Sequence, residues 1–228
     1  MELVIDEPHV LQTPGSTAGI SLSLALTLSA RLCHEIAGTL GAMSGLLDMV
    51  EEQPDAEALS LAASCGRELT ARLRLLRAAW GNDDIPALDD LVAGLPGIDR
   101  LNVDLSGIGV GLDAGLHRLA PNLLMLAASA LPRGGAIRLS GSPSLVLEIE
   151  GRQAGWPAAL AGCLDGGAGA EAAAQNARDV GTAVTCLLAS HLGIRLVCDG
   201  PRRLEATLAP RRLEATLAPC RLEATLAS

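Results

Sequence analysis

The sequence predicts an α+β protein. An N-terminal antiparallel helical hairpin pairs with a second copy of the chain as a dimeric four-helix bundle, and an α/β sandwich follows. Three observations carry this. Apolar residues recur at steps of three and four through two long stretches broken only at Pro54-Asp55. A turn that short makes the two helices antiparallel neighbours, and a two-helix hairpin cannot cover both of its apolar stripes alone. Beyond residue 86 the pattern changes to short alternating runs interleaved with helical ones, as in helices packed on one face of a sheet.

Residues 1–15 read as a loose arm ending at Pro14-Gly15. The first helix runs from about Ser16 to Gln53, with Leu28, Leu32, Ile36, Leu40, Met43, Leu47 and Val50 as its stripe. Asp55 caps the second helix, Glu57 sits in its first turn, and it stops at Gly81 after Leu59, Ala62, Cys65, Leu69, Leu73, Leu76 and Trp80. The domain boundaries are therefore 16–81 for the hairpin and 86–209 for the sandwich, joined by Gly81-Asn-Asp-Asp-Ile-Pro86. Within 86–209 the spacing predicts a short helix over 87–95 and a strand over 100–106. A helix over 113–131, interrupted or restarted at Pro121, comes before a hairpin of 136–141 with 145–150. Helical runs at 156–165 and 171–192 are separated by a glycine-rich break, and a last hairpin joins 193–198 to 202–209. Pro-Arg-Arg-Leu-Glu-Ala-Thr-Leu-Ala at 201–209 recurs twice more, the last time with Cys220 for one Arg. Nine residues are too few for a stackable unit, so the tail at 210–228 reads as duplication or sequence artefact rather than a functional array.

Composition excludes several classes. There is no Phe or Tyr, and Trp80 and Trp156 are the two tryptophans, so stacking platforms for single-stranded nucleic acid are missing. The net charge of −9 opposes phosphate-backbone binding in general. The six cysteines show no Cys-x-x-Cys pair and the acidic start does not resemble a secretory signal, which points to a reduced, cytoplasmic protein. The apolar run 19–28 ends at Arg31, short of the roughly 20 residues a membrane span needs.

Most of the chemical information lies around His34. It stands about 200° from both Leu32 and Ile36, away from the apolar stripe. Gly38, Gly41 and Gly45 follow it at one, two and three turns, each costing about 1 kcal/mol against alanine. Such a face is kept bare for close approach of another macromolecule. The metalloprotease pattern His-Glu-x-x-His fails because position 38 is Gly, and Cys33 points about 100° around the helix from His34, a poor geometry for a thiolate–imidazole pair. No metal site is expected. His9, His117 and His191 carry no such context and read as inert surface residues. Glu35 either orients the imidazole or simply pairs with Arg31 one turn back. In the second helix Arg67, Arg72, Arg74 and Arg77 face only Glu68 as counter-charge, so they either meet the acidic rim of a partner or form an ordinary solvated face.

Arg31-Leu-Cys-His-Glu-Ile-Ala-Gly-Thr-Leu-Gly-Ala is similar to the phosphoacceptor box of sensor histidine kinases. It most resembles that of the ChpT family of alphaproteobacterial histidine phosphotransferases, matching at Leu32, Cys33, His34, Gly38, Leu40, Gly41 and Ala42. Glu35 stands for the usual Asp and Thr39 for the usual proline, which leaves the helix straighter. Residues 86–209 resemble a degenerate histidine-kinase ATP-binding domain. Asn122-Leu-Leu-Met-Leu-Ala-Ala is similar to the asparagine box, but Leu126 replaces the magnesium-holding asparagine, and Gly151-Arg-Gln-Ala-Gly-Trp156 lacks the adenine-gripping aspartate.

The resemblance implies phosphate relay from the receiver aspartate of a CckA-type hybrid histidine kinase, through phosphorylated His34, to CtrA- and CpdR-like response regulators. It implies no ATP and no cofactor bound by this chain, with Mg2+ supplied by the partner receiver. Arg31, Gly38, Gly41, Gly45, Arg67 and Arg74 would form the docking face, with Glu35 auxiliary. Gly38 lacks the Thr or Asn that places a hydrolytic water, which implies weak phosphatase action. Two rivals remain at this point: a divergent ATP-dependent kinase and a non-catalytic dimeric scaffold that binds receivers.

Overall fold

A computed structural model describes residues 16–81, 84–165 and 168–208; the expected N-terminal arm and repeated tail lie outside them. The helices are α1 (Ser16–Glu52), α2 (Ala56–Trp80), α3 (Asp89–Val92), α4 (Ala114–Ser129), α5 (Ala159–Leu164), α6 (Ala168–Ala174) and α7 (Val180–His191). The strands are β1 (Leu101–Asp104), β2 (Gly135–Ser140), β3 (Leu145–Glu150), β4 (Ile194–Cys198) and β5 (Arg203–Leu208).

The hairpin forms where its capping chemistry places it. Pro54 ends α1, and the Asp55 carboxylate accepts from the N–H groups of Glu57 and Ala58 to start α2. With Thr39 in place of a proline, α1 runs unbroken past His34, and the Thr39 hydroxyl donates back to Glu35 O at 3.4 Å. A second face of α2, carrying Leu75 and Ala78, enters the core of the C-terminal lobe.

The sheet order is β1-β2-β3-β5-β4, with β1 parallel to β2 and the other pairs antiparallel. Period-two alternation sends Ile137, Leu139, Leu145, Leu147, Ile149 and Leu204 inward against Leu116, Leu119 and Leu123 of α4. The outward residues form a ladder of ion pairs instead. Arg138 lies 3.4 Å from Asp104 and 3.9 Å from Glu148, and Arg203 lies 3.3 Å from Glu148. This alternation pins the register, since a one-residue slip would bury the charges.

Two expectations shift. The run 171–192 is two helices rather than one, because residues 175–179 turn. There the Asn176 side chain accepts from Arg178 N at 2.9 Å, an Asx turn that ends the helical path. The helix expected from 156 starts at Ala159, after Pro157. Pro121, by contrast, is accommodated inside α4.

The five described cysteines are free thiols. Cys163 of α5 and Cys186 of α7 are both buried, and burial is the main cause that pushes both thiols up, Cys186 to about 12. At pH 8 a thiol reagent should therefore modify exposed Cys33 quickly and leave Cys186 unmodified until the chain unfolds. Peptide mapping after a timed alkylation checks this; equal labelling of the two would contradict the packing.

Candidate functional site

His34 is exposed on α1. The three glycines on its face are exposed too, and a Cβ added at Gly38, Gly41 or Gly45 would meet nothing within 4 Å. The glycines therefore serve no packing need within this chain.

Glu35, the next residue, lies at the centre of an ionic network. Arg31 Nε donates to its Oε1 at 2.9 Å, and Arg72 Nη2 donates to its Oε2 at 2.9 Å. Arg72 Nη1 also reaches Gly94 O at 3.1 Å, and Arg31 Nη1 donates to Ala177 O at 3.0 Å and Arg178 O at 3.3 Å. Gly94 permits its contact because a Cβ there would run into Ala71 O of α2. One carboxylate thus ties α1 to α2, while its two arginines tie both helices to the C-terminal lobe.

Burial is the largest influence on Glu35 and raises its pKa, but Arg72 and Arg31 together outweigh it, so the carboxyl titrates below its usual 4.5. A depressed carboxylate contributes its full stability above the unfolded value and loses it as the pH falls through the folded one. Glu35→Gln should cost about 1–2 kcal/mol at pH 7 and should flatten the loss of stability below about pH 4.5. Urea titrations across pH test this. An unchanged acid limb in the variant would remove Glu35 from the network's energetics.

Among the expected docking residues, Arg31 is engaged inside this network, while Arg67 and Arg74 are exposed. Glu35 faces Arg72, and a Cβ on Gly66 would lie 3.7 Å from Met43 Sδ. That antiparallel register puts Arg74 at the level of His34 and Arg67 at the level of Gly41. Arg72, one of four arginines noted in α2, emerges as the partner of Glu35. The signal was its place among Leu69, Leu73 and Leu76, where an arginine on an apolar stripe needs a counter-charge.

The asparagine box has a structural task. Asn122 is buried; its Oδ1 accepts from Trp80 Nε1 at 3.0 Å and its Nδ2 donates to Ala79 O at 3.0 Å. Arg118 of the same helix donates to Ala78 O at 2.7 Å and to Gly81 O. Together they cap the orphan carbonyls at the end of α2, with a cation where the helix dipole favours one. Leu126 is buried as well. Among the described residues no group of three His, Cys, Asp or Glu side chains could hold a metal ion, and no helix is long and apolar enough to cross a membrane.

Residues 86–203 match the family model described as the histidine phosphotransferase C-terminal domain. The chain is 30% identical over 199 residues to the protein phosphotransferase ChpT of Brucella abortus (strain 2308), covering 77% of this chain and 90% of that protein. A solved structure described as a bacterial phosphotransferase superimposes with a TM-score of 0.66 at 26% identity, covering 86% of this chain and 98% of that one.

Proposed function

Since this chain belongs to the histidine phosphotransferase family, we infer that it relays phosphate between receiver domains through a phosphohistidine at His34, without ATP. The observation that carries the reading is the exposed imidazole on a helix face stripped to glycine. In the first half-reaction a neutral ring nitrogen attacks the phosphorus of a receiver's aspartyl phosphate in line. The N–P bond forms, the bond to the aspartate oxygen breaks, and the carboxylate leaves. The second half-reaction is the reverse, onto another receiver's aspartate. Charge neutralisation at the transferring group comes from Mg2+ in the receiver's own acidic pocket, so this chain supplies the nucleophile and its placement.

ATP independence is supported by the fate of the kinase-like residues. Asn122 is consumed by α2, Leu126 packs where the second asparagine would stand, and the 151–156 loop has no aspartate. Glu35 then acts as a positioning residue, fixing the helix that presents His34 by way of Arg31 and Arg72. Arg67, Arg74, Gly38, Gly41 and Gly45 provide the docking face together with Arg31. By resemblance the donor is a CckA-type hybrid kinase and the acceptors are CtrA- and CpdR-like regulators, in the reducing cytoplasm.

A homodimer accounts for the apolar residues left uncovered on the hairpin, among them Leu26, Leu40, Leu47, Met49 and Leu59. Sedimentation equilibrium should give twice the chain mass of 23.3 kDa. The relay itself is tested with a radiolabelled phospho-receiver and no nucleotide. Label should pass to this chain and then to a second receiver; transfer that depends on added ATP would refute the reading.

A further inference from the structure

β5, Arg203–Leu208, reads Arg-Leu-Glu-Ala-Thr-Leu, and the same six residues stand again at 212–217 and at 221–226. A nine-residue unit is too short to stack on itself, but it is the length of one strand with its lead-in. Proline stands two residues before the strand in all three copies, as Pro201, Pro210 and Pro219.

β5 fills the slot between β3 and β4, antiparallel to both. Leu204 and Ala206 point inward and are each 1% exposed, with Leu204 level with Leu147 on one side and Cys198 on the other. Arg203 faces outward, 3.3 Å from Glu148 and 3.7 Å from Asp199. The carbonyl groups of Arg202 and Arg203 accept from Ile149 N at 3.0 Å and from Asp199 N at 2.9 Å. In the copies Leu213 and Leu222 stand for Leu204, and Arg212 and Arg221 stand for Arg203. Position 202 is Arg202, Arg211 or Cys220, but it meets β3 through its backbone carbonyl. A shift of nine residues therefore replaces each side chain of the strand by an identical one.

The three registers make the same sheet contacts and differ in the β4–β5 connection. That connection is 199–202 in the structure, four residues with Gly200 at φ +79°. With a later copy in the slot it becomes 199–211 or 199–220, thirteen or twenty-two residues. The probability of closing a loop falls roughly as the 3/2 power of its length, so the second copy would hold the slot about sixfold less often and the third about thirteenfold. Exchange also has a route. β4 is an edge strand, and Ile194 alone among its five residues is buried, so the ladder can open from that side.

We propose that 212–217 and 221–226 are spare copies of β5, each able to take the slot between β3 and β4 while the copies before it loop out. One strand position thus has three interchangeable occupants, with the 203–208 register dominant. The device is independent of the relay through His34.

Thermal unfolding of the full chain, with aspartate placed at the buried leucine, tests this. Leu204→Asp disqualifies the first copy by putting a carboxylate in the core, and a spare copy takes its place. Tm should then fall by about 2–4 °C. Removing residues 210–228 from the otherwise unaltered chain should shift Tm by less than about 1 °C, and so should Leu213→Asp combined with Leu222→Asp. Leu204→Asp in the truncated chain, or aspartate at all three leucines, should lower Tm by more than about 10 °C or abolish the cooperative transition. Equal damage from Leu204→Asp with and without residues 210–228 overturns the proposal. So does a chain that keeps its Tm with aspartate at all three leucines, because position 204 would then tolerate the charge. A fall in Tm on truncation alone overturns it too, since residues 210–228 would then support the fold by contacts of their own.

Discussion

His34→Gln leaves the chain folded and abolishes its uptake of phosphate from a phosphorylated receiver. The side chain is exposed, and no described hydrogen bond or ion pair involves it, so removing it should change stability by no more than about 0.5 kcal/mol. Glutamine keeps the length and the helix propensity but has no nucleophilic lone pair on nitrogen. No substitute nucleophile shares the bare face: Cys33 points elsewhere on the helix, and His117 and His191 belong to α4 and α7. Uptake should therefore drop by more than about 10³-fold with Tm unchanged. Retained uptake in this variant would favour another acceptor, and a lost fold would mean that His34 serves packing rather than chemistry. Glu35→Gln should slow transfer less, because it loosens the helix that carries the nucleophile and spares the nucleophile itself.

Asn122→Ala should be the most damaging single change to the joint between the lobes. It orphans the half-buried indole N–H of Trp80 and the carbonyl of buried Ala79, both at the contact between α2 and α4. Each stranded buried group costs about 1–3 kcal/mol, so the variant should lose about 3 kcal/mol and roughly 6–12 °C in Tm. Asn122→Asp keeps the acceptor for Trp80 and loses the donor to Ala79, and it should fall between the two. Differential scanning calorimetry reads all three. A nucleotide-binding asparagine would give the opposite pattern, with Tm preserved and ATP affinity lost, so this series also separates the phosphotransferase reading from a kinase one.

What could be read in the sequence was local. Pro54 and Asp55 announce the end of one helix and the cap of the next, and the alternation in 136–150 announces a hairpin, because each signal lies within a few residues of its effect. His34 and its glycines were legible for the same reason, sharing one face of one helix. Residues 175–179 were missed because an Asx turn at Asn176 interrupts an otherwise alanine-rich, helix-favouring run. The tasks of Arg72 and Asn122 were hidden for a different reason. Their partners Glu35, Ala79 and Trp80 lie about 40 residues away in sequence, and no periodicity encodes which distant group a side chain will meet.

Site-resolved mass spectrometry of the chain, after incubation with a phosphorylated receiver and no nucleotide, tests the central claim most directly. The account predicts a single acid-labile phosphate on His34. Phosphate on any other residue, or a chain that stays unmodified while the receiver is competent to transfer, would contradict it.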